Sequence, residues 1–272
     1  MHSMPTFLLV NDDGAQSPFL LPLAQALAPL GTVRIAVPLD EKSWTGKSMT
    51  RHGKLRVYPM RGPAWPGFDA FSAVAVEGTP SDCANLGVHH LFGDAPDWVV
   101  SGVNIGLNAG LNFIVNSGTV GAAFEAALIG VPAVAFSMHM SRPLYEQWVG
   151  ERQLTGGEAA RLIAAASERS ARILRTVLQR GLPEGTMVLN VNYPQGLTAR
   201  TPARWVPVER NRYGSLFARH ADGDGYAHSY QGDSWRDESV LGDKALVERG
   251  EIAVTALTLA AMTVPVPDPF PL

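Results

Sequence analysis

Thr6-Phe7-Leu8-Leu9-Val10-Asn11-Asp12-Asp13-Gly14 decides how the rest of the chain is read. Threonine followed by four apolar residues reads as a strand buried on both faces, as in a parallel sheet, and Asn-Asp-Asp-Gly is the turn that stops it. Ser17-Pro18 supplies an N-cap with proline at the first helical position and predicts a helix to Leu27, while Pro22 argues for a late start or a kink. Thr32–Val37 is a second strand, closed by Pro38. Strand, loop, helix and strand in this order make a βαβ unit, so the sheet is parallel and the crossover right-handed.

The pattern repeats outward from there. Strands are predicted at Val74–Val76, Asp97–Ser101, Ala133–Ser137 and Met187–Val191, and helices at Pro80–Phe92, Thr119–Ile129 and Glu158–Leu178. The last helix carries Ala159, Leu162, Ile163, Ala166, Ile173, Leu174, Val177 and Leu178 at three- and four-residue steps, one apolar face. Residues 1–195 therefore read as one doubly wound α/β domain. Beyond Pro194 the composition changes: residues 200–250 hold 16 charged residues in 51, eight of each sign, with Trp205, Tyr213, Phe217, Tyr226, Tyr230 and Trp235 and no helical period. Residues 196–250 are predicted to be a protruding loop-and-hairpin arm whose aromatics pack on a partner subunit. Ile252–Leu257 reads as a strand returning to the body, and 251–272 as that strand with a tail.

Composition sets the outer bounds. Among 272 residues, 46% hydrophobic and 17% charged, neither a disordered nor a collagenous chain is possible. A net charge of -3 gives no general drive toward nucleic acid polymers or a membrane surface. A single cysteine, Cys83, excludes an internal disulfide and speaks for a reducing, cytoplasmic setting. The uncharged stretches Trp98–Phe124 and Ile252–Pro267 are broken by asparagine, glycine, threonine and proline, so neither reads as a membrane span. Gly46-Lys47-Ser48 ends like a Walker A loop, but Glu41 stands where its first glycine belongs. Neither Gly-x-Ser-x-Gly nor a Gly-x-Gly-x-x-Gly after the first strand occurs.

Three constellations carry chemistry. Asp12 and Asp13 stand beyond the carboxyl end of strand one, where ligands bind in parallel sheets, and two adjacent carboxylates repel unless a cation or a shared proton relieves them. A hard divalent ion does this with oxygen ligands, and a solvated turn is the alternative reading. Ser101–Gly110 places glycines at 102, 106 and 110, and asparagines recur at 104, 108, 112 and 116. So much glycine favours a loop that approaches a ligand closely, offering amide oxygens to a metal, over a helix. Asn116-Ser117-Gly118-Thr119 precedes a helix and presents hydroxyls and free N–H groups at its positive end, either an anion site or an ordinary N-cap.

With Gly78-Thr79-Pro80-Ser81-Asp82-Cys83, Leu189-Asn190-Val191-Asn192 and Ser117-Gly118-Thr119-Val120-x-Ala122-Ala123-x-Glu125, these motifs closely resemble the SurE (survival protein E) family of 5′-nucleotidases, over roughly residues 6–195. The resemblance implies a Rossmann-like body with a protruding arm, homodimers or homotetramers, and divalent-metal-dependent hydrolysis of nucleoside monophosphates, with 3′-nucleotides and short polyphosphate as further substrates. It also implies one Mg²⁺ or Mn²⁺ per subunit on Asp12, Asp13, Ser43 and Asn104, with Asp12 and Asp13 catalytic, and phosphate held by Asn108, Ser117, Gly118 and Thr119. Trp44 and Gly46 depart from the family's Ser-Gly-x-Ser loop, and Asn116 stands where the family favours tyrosine. Trp44 either stacks on a base or caps the pocket. A nucleotide sensor without turnover, or a scaffold built on the aromatic arm, are the rival readings.

Overall fold

The structure, a computed structural model, describes residues 4–259, so the tail from 260 onward lies outside the described residues. Its strands are β1 (Thr6–Val10), β2 (Thr32–Pro38), β3 (Val57–Pro59), β4 (Ser72–Val76), β5 (Trp98–Ile105), β6 (Ala133–Met138), β7 (Val188–Tyr193), β8 (Ala203–Trp205), β9 (Asn211–Tyr213), β10 (Phe217–Arg219), β11 (Tyr226–His228), β12 (Asp233–Arg236) and β13 (Ile252–Leu257). The helices are α1 (Leu20–Leu27), α2 (Pro80–His89), α3 (Leu111–Asn116), α4 (Gly118–Leu128), α5 (Arg142–Glu151), α6 (Gly157–Arg180) and α7 (Asp243–Glu248).

Nine strands form one sheet in the order β3-β4-β2-β1-β5-β6-β7-β13-β8. The run from β4 to β7 is parallel throughout, while β3 and β13 join antiparallel to their inner neighbours. In β1 the two-sided burial is complete. Phe7 and Leu9 enter the core that takes in α1 and α6, and Leu8 and Val10 enter the core that takes in α2 and α4. That alternation is why the run is wholly apolar: each residue has a helix layer above or below it. The chain leaves β1 toward β2 and β4, then crosses back to β5 on the other side. The carboxyl end of β1 is therefore the topological switch point, where open α/β sheets form their ligand crevice.

Several predicted boundaries move. The first helix starts at Leu20 and not at Ser17-Pro18, the late start for which Pro22 argued; the Ser17 carbonyl accepts the Leu20 N–H, and Pro22 falls in the first turn, where its missing N–H costs nothing. The second helix ends at His89, short of Phe92. The predicted loop over Ser101–Gly110 is overturned in part, because β5 continues to Ile105 and only the next residues form a loop before α3. Gly102 makes this possible with φ +120°: a Cβ there would lie 2.2 Å from the Phe136 carbonyl oxygen. The recurring asparagines thus divide between a strand (Asn104), a loop (Asn108) and a helix (Asn112, Asn116). Ala203–Trp205, expected in the arm, is the edge strand of the main sheet.

Helices α3, α5 and α7 have no forerunner in the sequence reading. In α5 only Leu144 and Trp148 are buried, one i,i+4 pair, too short a stripe to register as a period. The antiparallel pairs β10–β11 and β9–β12 form the C-terminal hairpins. None of the described helices is long and apolar enough to cross a membrane.

Candidate active site

Asp12 and Asp13 follow β1 at the switch point and are 3% and 2% exposed. Asp12 is fixed from the start of α4: the Thr119 N–H donates to Oδ2 at 3.0 Å and the Thr119 hydroxyl to Oδ1 at 2.5 Å. Asp13 receives the Ile105 N–H on Oδ2 at 2.9 Å, while its Oδ1 is buried without a hydrogen-bond partner. The Lys42 N–H bonds the Asp12 carbonyl at 2.7 Å, which draws the Ser43 loop to the same place. Gly118 is required here by crowding, since a Cβ would lie 2.9 Å from Asp12 Cβ. Three loops thus converge on one acidic pair.

Burial without a counterion raises both carboxyls. Asp12 is pushed up to about 6, mainly by desolvation and against the pull of Thr119. Asp13 rises well above the carboxylate range through desolvation and then through the Asp12 charge. The arrangement therefore lacks positive charge. No group of three or more His, Cys, Asp or Glu side chains suited to a metal occurs among the described residues, so further ligands must be neutral oxygens. Asn104 supplies one: its Nδ2 donates to the Gly106 carbonyl at 3.0 Å, which leaves Oδ1 uncommitted. Ser43 lines the same cavity. Two carboxylates, one of them with an orphaned oxygen, an amide oxygen and a hydroxyl make an oxygen donor set that fits a hard divalent cation.

The neighbouring predicted phosphate residues have different duties. Asn108 is clamped from β7: its N–H donates to Asn192 Oδ1 at 2.9 Å, and its carbonyl accepts from Asn190 and Asn192 at 2.9 and 3.1 Å. Its side-chain Nδ2 donates to Ser137 Oγ at 2.8 Å. Ser117 caps α4, its Oγ accepting the Val120 N–H at 3.0 Å, so the hydroxyl proton is free to donate. Thr119 commits both its donors to Asp12 and orients that carboxylate. Of the nine candidate residues, Asp12, Ser43, Trp44, Asn104, Asn108 and Ser117 line one cavity of about 930 Å³, and Asp13, Gly118 and Thr119 do not.

The opposite walls come from places the motifs did not mark. Trp44, at φ 61°, packs its ring against Phe113 of α3, Tyr213 of β9 and His228 of β11, with centroids 5.7, 6.3 and 4.9 Å away. Tyr230 packs on Phe113 at 5.3 Å, and the Tyr213 hydroxyl accepts from Asn116 Nδ2 at 3.0 Å. These arm aromatics cover their own subunit's cavity, which corrects the expectation that the arm's rings all serve a partner. The arm is tied down by paired charge: Arg236, half-buried, grips the buried Glu209 through Nε and Nη2 at 2.5 and 3.0 Å and reaches the exposed Glu248 at 2.7 Å, while Lys244 pairs with the buried Asp233. Removing one member of the buried Lys244–Asp233 pair costs about 3–5 kcal/mol, and the more exposed Arg236–Glu248 contact much less.

The family model described as Survival protein SurE matches residues 7–215. The chain belongs to the SurE family. It is 39% identical over 254 residues to a protein named 5′-nucleotidase SurE from Pyrobaculum arsenaticum, covering 93% of this chain and 89% of that one. It is 38% identical to a protein of the same name from Geobacter sulfurreducens, covering 93% and 87%. The crystal structure of the SurE protein from Aquifex aeolicus superposes with a TM-score of 0.71 at 30% identity, covering 94% of each chain. The family match stops at residue 215, so His228, Tyr230, Asp233, Arg236, Lys244 and Glu248, all on the cavity, lie beyond it. His139, Tyr145 and Gln195 also line the cavity and were missed, having no motif around them; the one available signal was that His139 follows the end of a predicted strand, on the same rim as Asp12.

Proposed function

We propose that this SurE-family chain is a divalent-metal-dependent phosphomonoesterase that hydrolyses nucleoside 5′-monophosphates to nucleoside and phosphate, with 3′-nucleotides and short polyphosphate as secondary substrates. The observation that carries the reading is the pair Asp12–Asp13, buried at the switch point with one carboxylate oxygen unpartnered and neutral oxygen donors beside it. Asp12, Asp13, Ser43 and Asn104 would hold the ion. When bound, a Mg²⁺ or Mn²⁺ ion supplies positive charge against the phosphate oxygens and favours ionisation of the attacking water.

The chain's own groups do the rest. The Ser117 hydroxyl at the start of α4 and Asn108, both on the cavity, bind phosphate oxygens and favour the charge that builds on them. Thr119 keeps the Asp12 carboxylate in one orientation, as outer partners of ligands do. Trp44 and the arm aromatics form the wall for the base. The P–O ester bond breaks, water oxygen joins phosphorus, and the leaving sugar oxygen takes a proton. Direct attack by water is favoured over a phosphoryl-enzyme because no Asp-x-Asp pair is present at the first loop. In the same reading the chain self-associates, and Trp205, Phe217, Tyr226 and Trp235 are the exposed apolar groups suited to it.

The test is phosphate release from AMP with Mn²⁺ or Mg²⁺, before and after chelation. Release that stops with chelator and returns with the ion is expected. Release indifferent to chelation, or nucleotide binding with no product, would overturn the proposal.

A further inference from the structure

His139 follows the carboxyl end of β6, lines the cavity and is missing from the mechanism above. Its Nε2 lies 3.2 Å from Gln195 Nε2, and that same Gln195 nitrogen lies 3.3 Å from the Met140 carbonyl oxygen. A carbonyl only accepts, so the Gln195 atom facing it is the NH₂ and not the amide oxygen. The NH₂ therefore donates to His139 as well, and His139 Nε2 must be the accepting, unprotonated nitrogen. The ring proton sits on Nδ1. A protonated imidazole would set N–H against N–H at Gln195. Burial lowers the basicity of this imidazole further, with the Glu248 carboxylate opposing and the Lys244 ammonium assisting.

Nδ1–H is then a neutral donor with no hydrogen-bond partner among the described residues. Its place in the cavity says what it meets. In the sheet order β1-β5-β6, His139 follows β6 while Asp12 and Asp13 follow β1, two strand positions away, or about 10 Å of backbone. Asp13 is itself bonded to Ile105, and Ile105 is in register with Met138, the residue before His139. A phosphate held at the acidic end would carry its ester sugar into that interval, short of the aromatic wall.

Resting on the phosphomonoesterase reading, we propose that His139, held by Gln195 as the Nδ1–H tautomer, donates to a sugar oxygen of the substrate and selects for sugar phosphates over esters without a sugar. His139 touches substrate; Gln195 acts through it as a positioning residue.

The test compares AMP with p-nitrophenyl phosphate, which keeps the phosphate and lacks the sugar, in the metal-loaded wild type and in His139→Ala, His139→Asn and Gln195→Leu. His139→Ala is expected to lower kcat/KM about tenfold on AMP, one lost hydrogen bond, and to change p-nitrophenyl phosphate by less than about twofold. His139→Asn places an amide N–H near the Nδ1 position and should recover most of the AMP activity. The nitrogen resonances of the His139 ring should report Nδ1–H in the wild type and a tautomer mixture in Gln195→Leu. Equal losses on both substrates, no loss on AMP, or an Nε2–H ring in the wild type would each overturn the assignment while leaving the phosphomonoesterase reading standing. A wild type inert toward both substrates would instead overturn that reading, and the sugar assignment with it.

Discussion

The cavity has two unlike sides. The rim at β1, β5 and α4 is made of residues close to one another in a few short motifs, and its charge is unbalanced: two buried carboxylates with raised proton affinity and no ion pair. The wall from the arm and α7 is assembled from residues far apart in sequence, and each of these charges has a partner of opposite sign, Arg236 with Glu209 and Glu248, and Lys244 with Asp233. Uncompensated buried charge destabilises a fold unless a ligand relieves it, whereas compensated charge holds an architecture together. The first side is built to bind and the second to stay in place.

Asp12→Asn is the strongest way to break this contrast. Activity should fall at least about a thousandfold, the scale of removing a principal charge from a reaction centre. With chelator present at neutral pH, the same substitution should raise the denaturation midpoint, because it removes one of two repelling, desolvated carboxylates. Loss of activity together with a lower midpoint would mean that Asp12 serves the fold rather than an ion.

The contrast also explains what the sequence disclosed. β1, β2, β13 and the apolar face of α6 were legible because each residue's periodicity reflects a layer packed on it: Leu162 and Leu174 are fully buried, as their spacing required. The Asp12–Asp13 turn and the Ser117 cap were legible because turn and cap chemistry demand the same few residue types at element ends, whereas Asn104, expected in a loop, belongs to β5. Thr119 as the partner of Asp12 was not legible, since that bond spans 107 positions. Nor was the pairing of Gln195 with His139, which the β6–β7 register sets, or the seat of Tyr213 beside Trp44, which depends on where the hairpins return. Helix α3 stayed hidden because the glycine count before it argues for a loop.

Asp243 joins the two sides and gives a pH test of how firmly. Its Oδ1 accepts N–H groups from Gly110 on the rim, from Glu209 at the root of the arm and from Lys244, each at 2.9 Å, while Oδ2 is buried without a partner. Desolvation raises its pKa to about 6 against those three bonds. The folded state thus holds more protons on this group than the unfolded state between about pH 4 and 6, and stability falls as pH rises through that window. The loss from this group reaches about 3 kcal/mol by pH 7. Measured by denaturant with chelator present, so that the acidic pair contributes equally to both proteins, the stability of Asp243→Asn relative to wild type should improve by about 2 kcal/mol from pH 4.5 to 7.5. A constant difference across that range would show that the carboxyl is ionised and that the junction is looser than the geometry implies.

The smallest expected effect is at Trp44, where the two sides touch. Its backbone is left-handed at φ 61°, a cost of about 1 kcal/mol for a residue with a Cβ, and its ring contacts Phe113, Tyr213 and His228. Trp44→Leu removes the aromatic face and keeps the strain; Trp44→Gly removes both. If the ring stacks on a base, both variants should raise KM for nucleoside monophosphates about five- to tenfold with kcat nearly unchanged, since an aromatic pair contributes about 0.5–1.5 kcal/mol. The two should then differ only in stability, with glycine recovering part of what leucine loses. If the ring only caps the cavity, KM stays within about twofold in both while the hairpins of the arm become easier to cleave by protease, because the lost contacts are those that hold β9 and β11 against α3. The pair of variants thus separates a ring that meets substrate from one that merely fastens the compensated wall to the charged rim.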